Sequence, residues 1–104
     1  MRLVDHMTGF EWDKANREKS WQKHRVAWWE CEEVFLNLPL FVFPDPQHSQ
    51  KEVRFYALGK TGESRLLFVV FTVRQSRIRV ISARDMNRKE KKVYAEKTQE
   101  ASQI

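Results

Sequence analysis

With 104 residues, 41% of them apolar and 32% charged, the chain has the size and composition of one globular unit. Lysine and arginine outnumber aspartate and glutamate by 19 to 14, and the resulting net charge of +5 favours an anionic partner, nucleic acid first. One cysteine excludes an internal disulfide and a cysteine-based zinc site, and the longest apolar stretch, LLFVVFTV, is too short to cross a bilayer as a helix.

The N-terminal stretch MRLVDHMTG lacks the apolar run of a signal peptide, so a cytoplasmic protein without membrane association is expected. The whole of 1–104 reads as a single domain, with 1–9 and 99–104 expected to be flexible. FEWD then introduces a polar helix over Lys14 to His24, with Asp13 as its N-cap and Trp12, Ala15 and Trp21 as its main apolar contacts. Asn16, Lys19 and Lys23 share one face of it. A second helix follows in VAWWECEEVFLNL, where Ala27, Cys31, Val34 and Leu38 form an apolar stripe flanked by Trp28 and Phe35.

Pro44 and Pro46 end the helical pattern, and 40–43 before them suit a short edge strand. In EVRFYALGK, Val53, Phe55 and Ala57 alternate with Arg54, Tyr56 and Leu58, which predicts a strand ending at a KTGE turn, with Gly59 and Gly62 supplying loop conformations. Strands over 65–74 and 77–84 meet at a tight turn at Gln75-Ser76, which sets Thr72 opposite Arg79 and Val73 opposite Ile78. Strict alternation gathers Arg74, Arg77 and Arg79 on one face and sends Arg84 to the other, mostly apolar face, which is expected to receive the helices. The charged tail predicts a last helix over 87–98, with Met86, Val93 and Tyr94 as its apolar contacts.

Each cationic feature has an ordinary explanation. A lysine-histidine pair is favoured at any helix C-terminus, and arginines keep a hairpin tip soluble. In combination they are what an RNA phosphate site needs. Cations hold the phosphates, and cleavage beside a 2′-hydroxyl requires a proton acceptor, a proton donor and positive charge for the developing oxyanion. Histidine as a residue type serves the first two needs and arginine the third. No metal or other cofactor is required, and no carboxylate-histidine cluster suggests one.

The strings FEWDKANREKSWQKH, RFYALG, LLFVVFTVR and IRVISARDMNRKEKKVY, in that order, resemble the BrnT family of toxins, within the RelE-like superfamily of type II toxin-antitoxin ribonucleases. The resemblance covers 10–94. It implies an α+β fold in which N-terminal helices and a C-terminal helix pack on a bent antiparallel sheet of about four strands. It also implies an endoribonuclease, a hydrolase of RNA phosphodiester bonds, that inhibits translation and is neutralised by a cognate BrnA-like antitoxin, with operator DNA bound only through that complex. Carried over to this chain, the catalytic set is Lys23, His24, Arg54, Arg74 and Arg79, with Arg84 matching a final-strand arginine; Lys19, Arg77 and Arg88, from their place on the cationic surface, are expected with Arg84 to bind RNA. Two positions depart from the family pattern: Ser20 replaces a common asparagine, and Arg25 a common glycine that would cap the helix in the left-handed region. These departures motivate an alternative, a catalytically weakened homologue acting as an antitoxin- or RNA-binding module. A DNA-binding regulator acting alone is a third reading, resting only on the basic last helix.

Overall fold

In a computed structural model that describes residues 6–48 and 51–102, the chain forms α1 (Lys14–His24), α2 (Trp28–Leu36), β1 (Phe41–Pro44), β2 (Arg54–Lys60), β3 (Leu66–Arg74), β4 (Arg77–Asp85) and α3 (Arg88–Ser102), with one 3₁₀ turn at Pro46–His48. The strands make an antiparallel meander in the order β1-β2-β3-β4. The architecture is α+β.

α1 begins and ends where the sequence places it. Asp13 Oδ1 accepts from the Asn16 N–H while Asn16 Oδ1 accepts from the Asp13 N–H, a reciprocal cap that satisfies two donors. At the other end Arg25 adopts the left-handed conformation (φ 56°, ψ 35°), so arginine closes the helix as glycine would. Val26, the next residue, drops into the core and is fully buried.

β4 is an edge strand, and the N-terminal part of the chain covers its free side. Gly9 O accepts from the Ile78 N–H and the Glu11 N–H donates to Ile78 O. Further along, Asn16 Nδ2 donates to Val80 O, and the Ala83 N–H donates to Ser20 Oγ. The edge is thereby closed to further pairing. These bonds correct the expected contacts of α1. Its buried residue is Ser20, while Ala15 and Trp21 are exposed; Trp12, before the helix, packs on the core instead.

The helices do not all share one sheet face. One face packs Phe55, Ala57, Leu67, Val69, Phe71, Ile78 and Val80 beneath α2, whose Cys31, Val34 and Phe35 are buried there; Leu38, expected in that stripe, is exposed. The opposite face carries Leu58, Met86 and Tyr94 with Phe41, Phe68 and Val93, so α3 packs there and not with the others. Tyr94 fixes it further by donating its hydroxyl to Pro39 O. Three more boundaries differ from expectation. Gly59 lies within β2, where its missing Cβ admits Val34 (2.8 Å from an ideal Cβ to Cγ1), and it is not a loop residue. α3 continues to Ser102, past the expected end at Thr98. Thr8 and Gly9 are hydrogen-bonded to the β3–β4 hairpin; the rest of the expected flexible ends at 1–5 and 103–104 lies outside the described residues.

Candidate functional site: two groups of cations on one sheet

The hairpin register is the one the turn at Gln75-Ser76 implies: Thr72 faces Arg79, Val73 faces Ile78 and Arg74 faces Arg77. Arg54 of β2 also faces Thr72, so Arg54, Thr72 and Arg79 form one row across three strands, with Arg74 and Arg77 in the next row of that face. Thr72 is buried and donates its hydroxyl to Val53 O. Its small polar side chain thus separates two arginines without competing for their ligands.

Acids hold this group together. Arg79 donates to Glu11 (3.0 Å) and Asp13 (2.7 Å), and Arg74 to Glu52 (3.2 Å at both contacts) while lying 3.6 Å from Glu11. Arg77 is at 4.0 Å from Glu11. The Asn16 N–H, and after it the Arg79 guanidinium, keep the Asp13 carboxyl below the ordinary carboxylate range; Arg74 does the same for Glu52. An open groove of about 730 Å³ between α1 and β4 brings Lys19 and Gln22 to the side of Arg79.

Lys23 and His24 lie elsewhere. α1 runs alongside β4 with Asp13 at Arg79 and His24 at the far end, and its 11 residues rise about 16 Å over that length. His24 sits near Asp85 and its carbonyl receives Arg65 Nη2 at 3.5 Å. The structure therefore does not bring the histidine to the arginine row.

Arg84 joins the face of the arginine row, contrary to the parity of the sequence. Val70 pairs with Ser82 but Phe71 with Val80, so Ile81 is an extra residue, a bulge that reverses the alternation beyond it. Arg84 lies 4.1 Å above the Phe68 ring and makes two 2.8 Å bonds to Glu90. Burial resists ionisation of Glu90, but the hydrogen bonds from Arg84 and Asn87 outweigh it and lower its pKa. Since Glu90 also accepts from the Asn87 N–H, Arg84 anchors the first turn of α3. Glu30 and Glu33 take Arg65 and the Gly62 N–H. Arg88 is exposed at the start of α3.

The nine sequence-derived residues thus sort into two groups: Arg54, Arg74, Arg77 and Arg79 with Lys19 toward the hairpin, and Lys23, His24, Arg84 and Arg88 toward the other end of β4. Arg65 was absent from the set, although it binds Glu30, Asp85 and the carbonyls of His24 and Arg25. Its position at the head of β3 gave no signal, because its partners are brought together only by the fold. Among the described residues, no three histidine, cysteine, aspartate or glutamate side chains group to hold a metal ion, and no helix is long and apolar enough to cross a membrane.

A family model described as the ribonuclease toxin BrnT of a type II toxin-antitoxin system matches residues 12–90. The chain belongs to the BrnT family. Its fold is similar to that in the 1.1 Å crystal structure of the Brucella abortus ribonuclease toxin BrnT, with a TM-score of 0.59 and 25% identity over 77% of this chain and 97% of that one. A search of curated proteins found no match. The matched span of this BrnT-family chain contains α1, the whole sheet and the start of α3, and so includes both cationic groups.

Proposed function

We propose that this chain is a cytoplasmic endoribonuclease toxin of RelE-like type that cuts RNA without a metal ion, inhibits translation, and is neutralised by a cognate BrnA-like antitoxin through which it reaches operator DNA. The observation that carries the reading is the row Arg54–Thr72–Arg79, extended by Arg74 and Arg77, on a sheet that belongs to a ribonuclease-toxin family. Guanidinium groups hold phosphate oxygens in pairs and stabilise the charge that builds on them during cleavage. In the chemistry assigned here the 2′-oxygen attacks phosphorus, its proton passes to a base, and the 5′-oxygen leaves with a proton from an acid. Lys23 and His24 are the proposed acid-base residues; Arg54, Arg74 and Arg79, about 16 Å away along α1, are the proposed clamp for a neighbouring phosphate of the same strand. Lys19, Arg77, Arg84 and Arg88 extend the RNA path. Trp21 and Trp29, both exposed at the α1–α2 junction, are the proposed anchors of the antitoxin.

The test is cleavage of RNA by the purified chain in excess EDTA, with growth arrest on expression. Cleavage products and arrest are expected; neither cleavage nor arrest by the wild-type chain refutes the reading. The separation of His24 from the arginine row favours a second reading, a weakened homologue that binds RNA or antitoxin. That reading predicts that His24→Ala leaves any growth effect unchanged, while Arg74→Glu with Arg79→Glu weakens binding.

A further inference from the structure

Between the two cationic groups the open part of the second sheet face is aromatic. Phe43 of β1 pairs with Tyr56 of β2, their rings 5.0 Å apart and 23° from parallel. Tyr56 in turn stacks diagonally on Phe68 of β3, at 5.2 Å and 27°. Arg84 of β4 completes the row with its guanidinium 4.1 Å above Phe68. One continuous stack therefore crosses all four strands. A separation near 5 Å exceeds face-to-face contact, so the rings overlap like shingles and each leaves part of its face uncovered. All three rings are partly exposed. α3 packs Val93 and Tyr94 on this face beside Leu58 and Phe41, and Phe43, Tyr56 and Phe68 border the same cluster while each keeps part of its surface exposed. The Tyr56 hydroxyl has no hydrogen-bond partner among the described residues and is not a buried unsatisfied atom, so it meets solvent.

We propose that the Phe43–Tyr56–Phe68 stack, ended by Arg84, is a binding site for unpaired nucleobases, and that it makes single-stranded RNA the ligand of this face. Unpaired bases stack on aromatic rings and on arginine planes, while a duplex keeps its bases stacked on one another. The charge arrangement fits the same ligand. Arg84 ends the stack on β4, and the hairpin arginines lie one and two rows beyond Tyr56 along the strands, so RNA laid on the rings meets cations at the β4 end of the stack and along its hairpin side. The proposal rests on the RNA reading above and deepens it by naming the strandedness and the base contact.

A short fluorescein-labelled 2′-O-methyl oligoribonucleotide, which lacks the attacking hydroxyl, serves as the probe in anisotropy titrations of the full chain. Its duplex and an abasic strand of equal length and charge are the comparison probes. Single-stranded probe is expected to bind more tightly than either, and Tyr56→Leu to weaken it at least about fivefold while leaving the abasic strand unchanged. Tyr56→Phe keeps the ring and is expected to bind as wild type. Phe43→Leu tests the same stack should Tyr56→Leu fail to fold, as judged by circular dichroism. Equal binding of abasic and base-bearing strands, or full affinity in both leucine variants, overturns the stacking site while leaving phosphate binding intact. Failure of wild type to bind any of the three probes overturns both this proposal and RNA binding.

Discussion

Arg65→Met is the substitution with the most informative consequence for the fold. Arg65 joins three elements at one point: Nη1 reaches Glu30 at 3.0 and 3.2 Å and Arg25 O at 2.9 Å, and Nε and Nη2 reach Asp85 at 2.7 and 3.0 Å. The Asp85 bonds do most to hold the proton on Arg65, yet Asp85 is 60% exposed, so water replaces much of that pair and its loss costs at most about 1 kcal/mol. Glu30 is only 21% exposed but keeps its bond from the Ala27 N–H. Losing its charged partner costs about 1.5–3 kcal/mol, and the α1 carbonyls add a few tenths. The sum is roughly 2–4 kcal/mol, a large share of the 5–15 kcal/mol typical of a domain. Urea unfolding followed by tryptophan fluorescence measures it. The loss also has a pH signature. Arg65 lowers the Asp85 pKa, so the stabilisation is complete above the unfolded value near pH 4 and disappears as pH falls through the lower folded value. The gap between wild type and variant should therefore narrow on acidification below about pH 4. A loss under about 1 kcal/mol at neutral pH would refute the view that this network fixes the end of α1.

Four other substitutions or probes test single packing statements. Arg25→Gly should stabilise the chain by about 0.5–1 kcal/mol in the same unfolding assay, because arginine is held at φ 56° without the freedom of glycine; destabilisation would mean its guanidinium over Trp21, 5.6 Å away, matters more. Gly59→Ala should cost about 1–3 kcal/mol, and Val34→Ala in the same chain should offset part of that cost, since the new Cβ meets Val34; strictly additive effects would exclude the contact. Ser20→Ala removes the acceptor of the Ala83 N–H in a buried position and should cost about 1–3 kcal/mol, whereas a cost below about 0.5 kcal/mol would show the bond to be dispensable. Burial pushes the Cys31 thiol up to about 12, so a disulfide reagent at mildly alkaline pH should label it only after unfolding; rapid labelling of the native chain would contradict its place in the core.

The parts of this fold that were legible in the sequence are those governed by local chemistry. Asp13 marks the start of α1 because a short carboxylate can accept from free amides two or three residues on, and the Gln75-Ser76 turn sets the register of β3 and β4 because a tight turn leaves no other pairing. The division of helices between two faces was written less plainly. β3, LLFVVFTVR, is apolar on both sides, which is the pattern of a strand covered twice, but α3 carries so few apolar residues, Val93 and Tyr94 chief among them, that its sequence did not mark it as the partner of the second face. Arg84 was misplaced for a different reason. A bulge needs no glycine or proline, and its one trace in IRVISAR is the apolar doublet Val80-Ile81, after which Ser82-Ala83-Arg84 alternates in the opposite phase; the pairing of Val70 with Ser82 shows Ile81 to be the extra residue. The separation of His24 from the arginines was likewise out of reach, because the spacing along α1 is known from sequence but its direction along β4 is not.

The three helices share a device that also sets how readily an arginine gives up its carboxylate. In each, an acid of the first turn or cap takes an arginine from the sheet: Asp13 holds Arg79, Glu30 holds Arg65 and Glu90 holds Arg84. Negative charge at a helix N-terminus is favourable in itself, and the arginine ties that end of the helix to a strand. Arginines used this way are not equally ready to exchange a carboxylate for a phosphate. Arg79, 20% exposed and bonded to two acids, must give up a helix anchor to do so. Among the described residues, Arg74 and Arg77, about half exposed at 46% and 45%, pair only with Glu52 and Glu11, outside the helix caps. Exposed pairs of that kind are worth about 0–1 kcal/mol, so a phosphate displaces them at little cost. Under the proposed RNA reading, the first phosphate contact on the hairpin is therefore expected at Arg74 and Arg77. Arg79 fixes α1 against β4, and Lys19 lines the groove beside it.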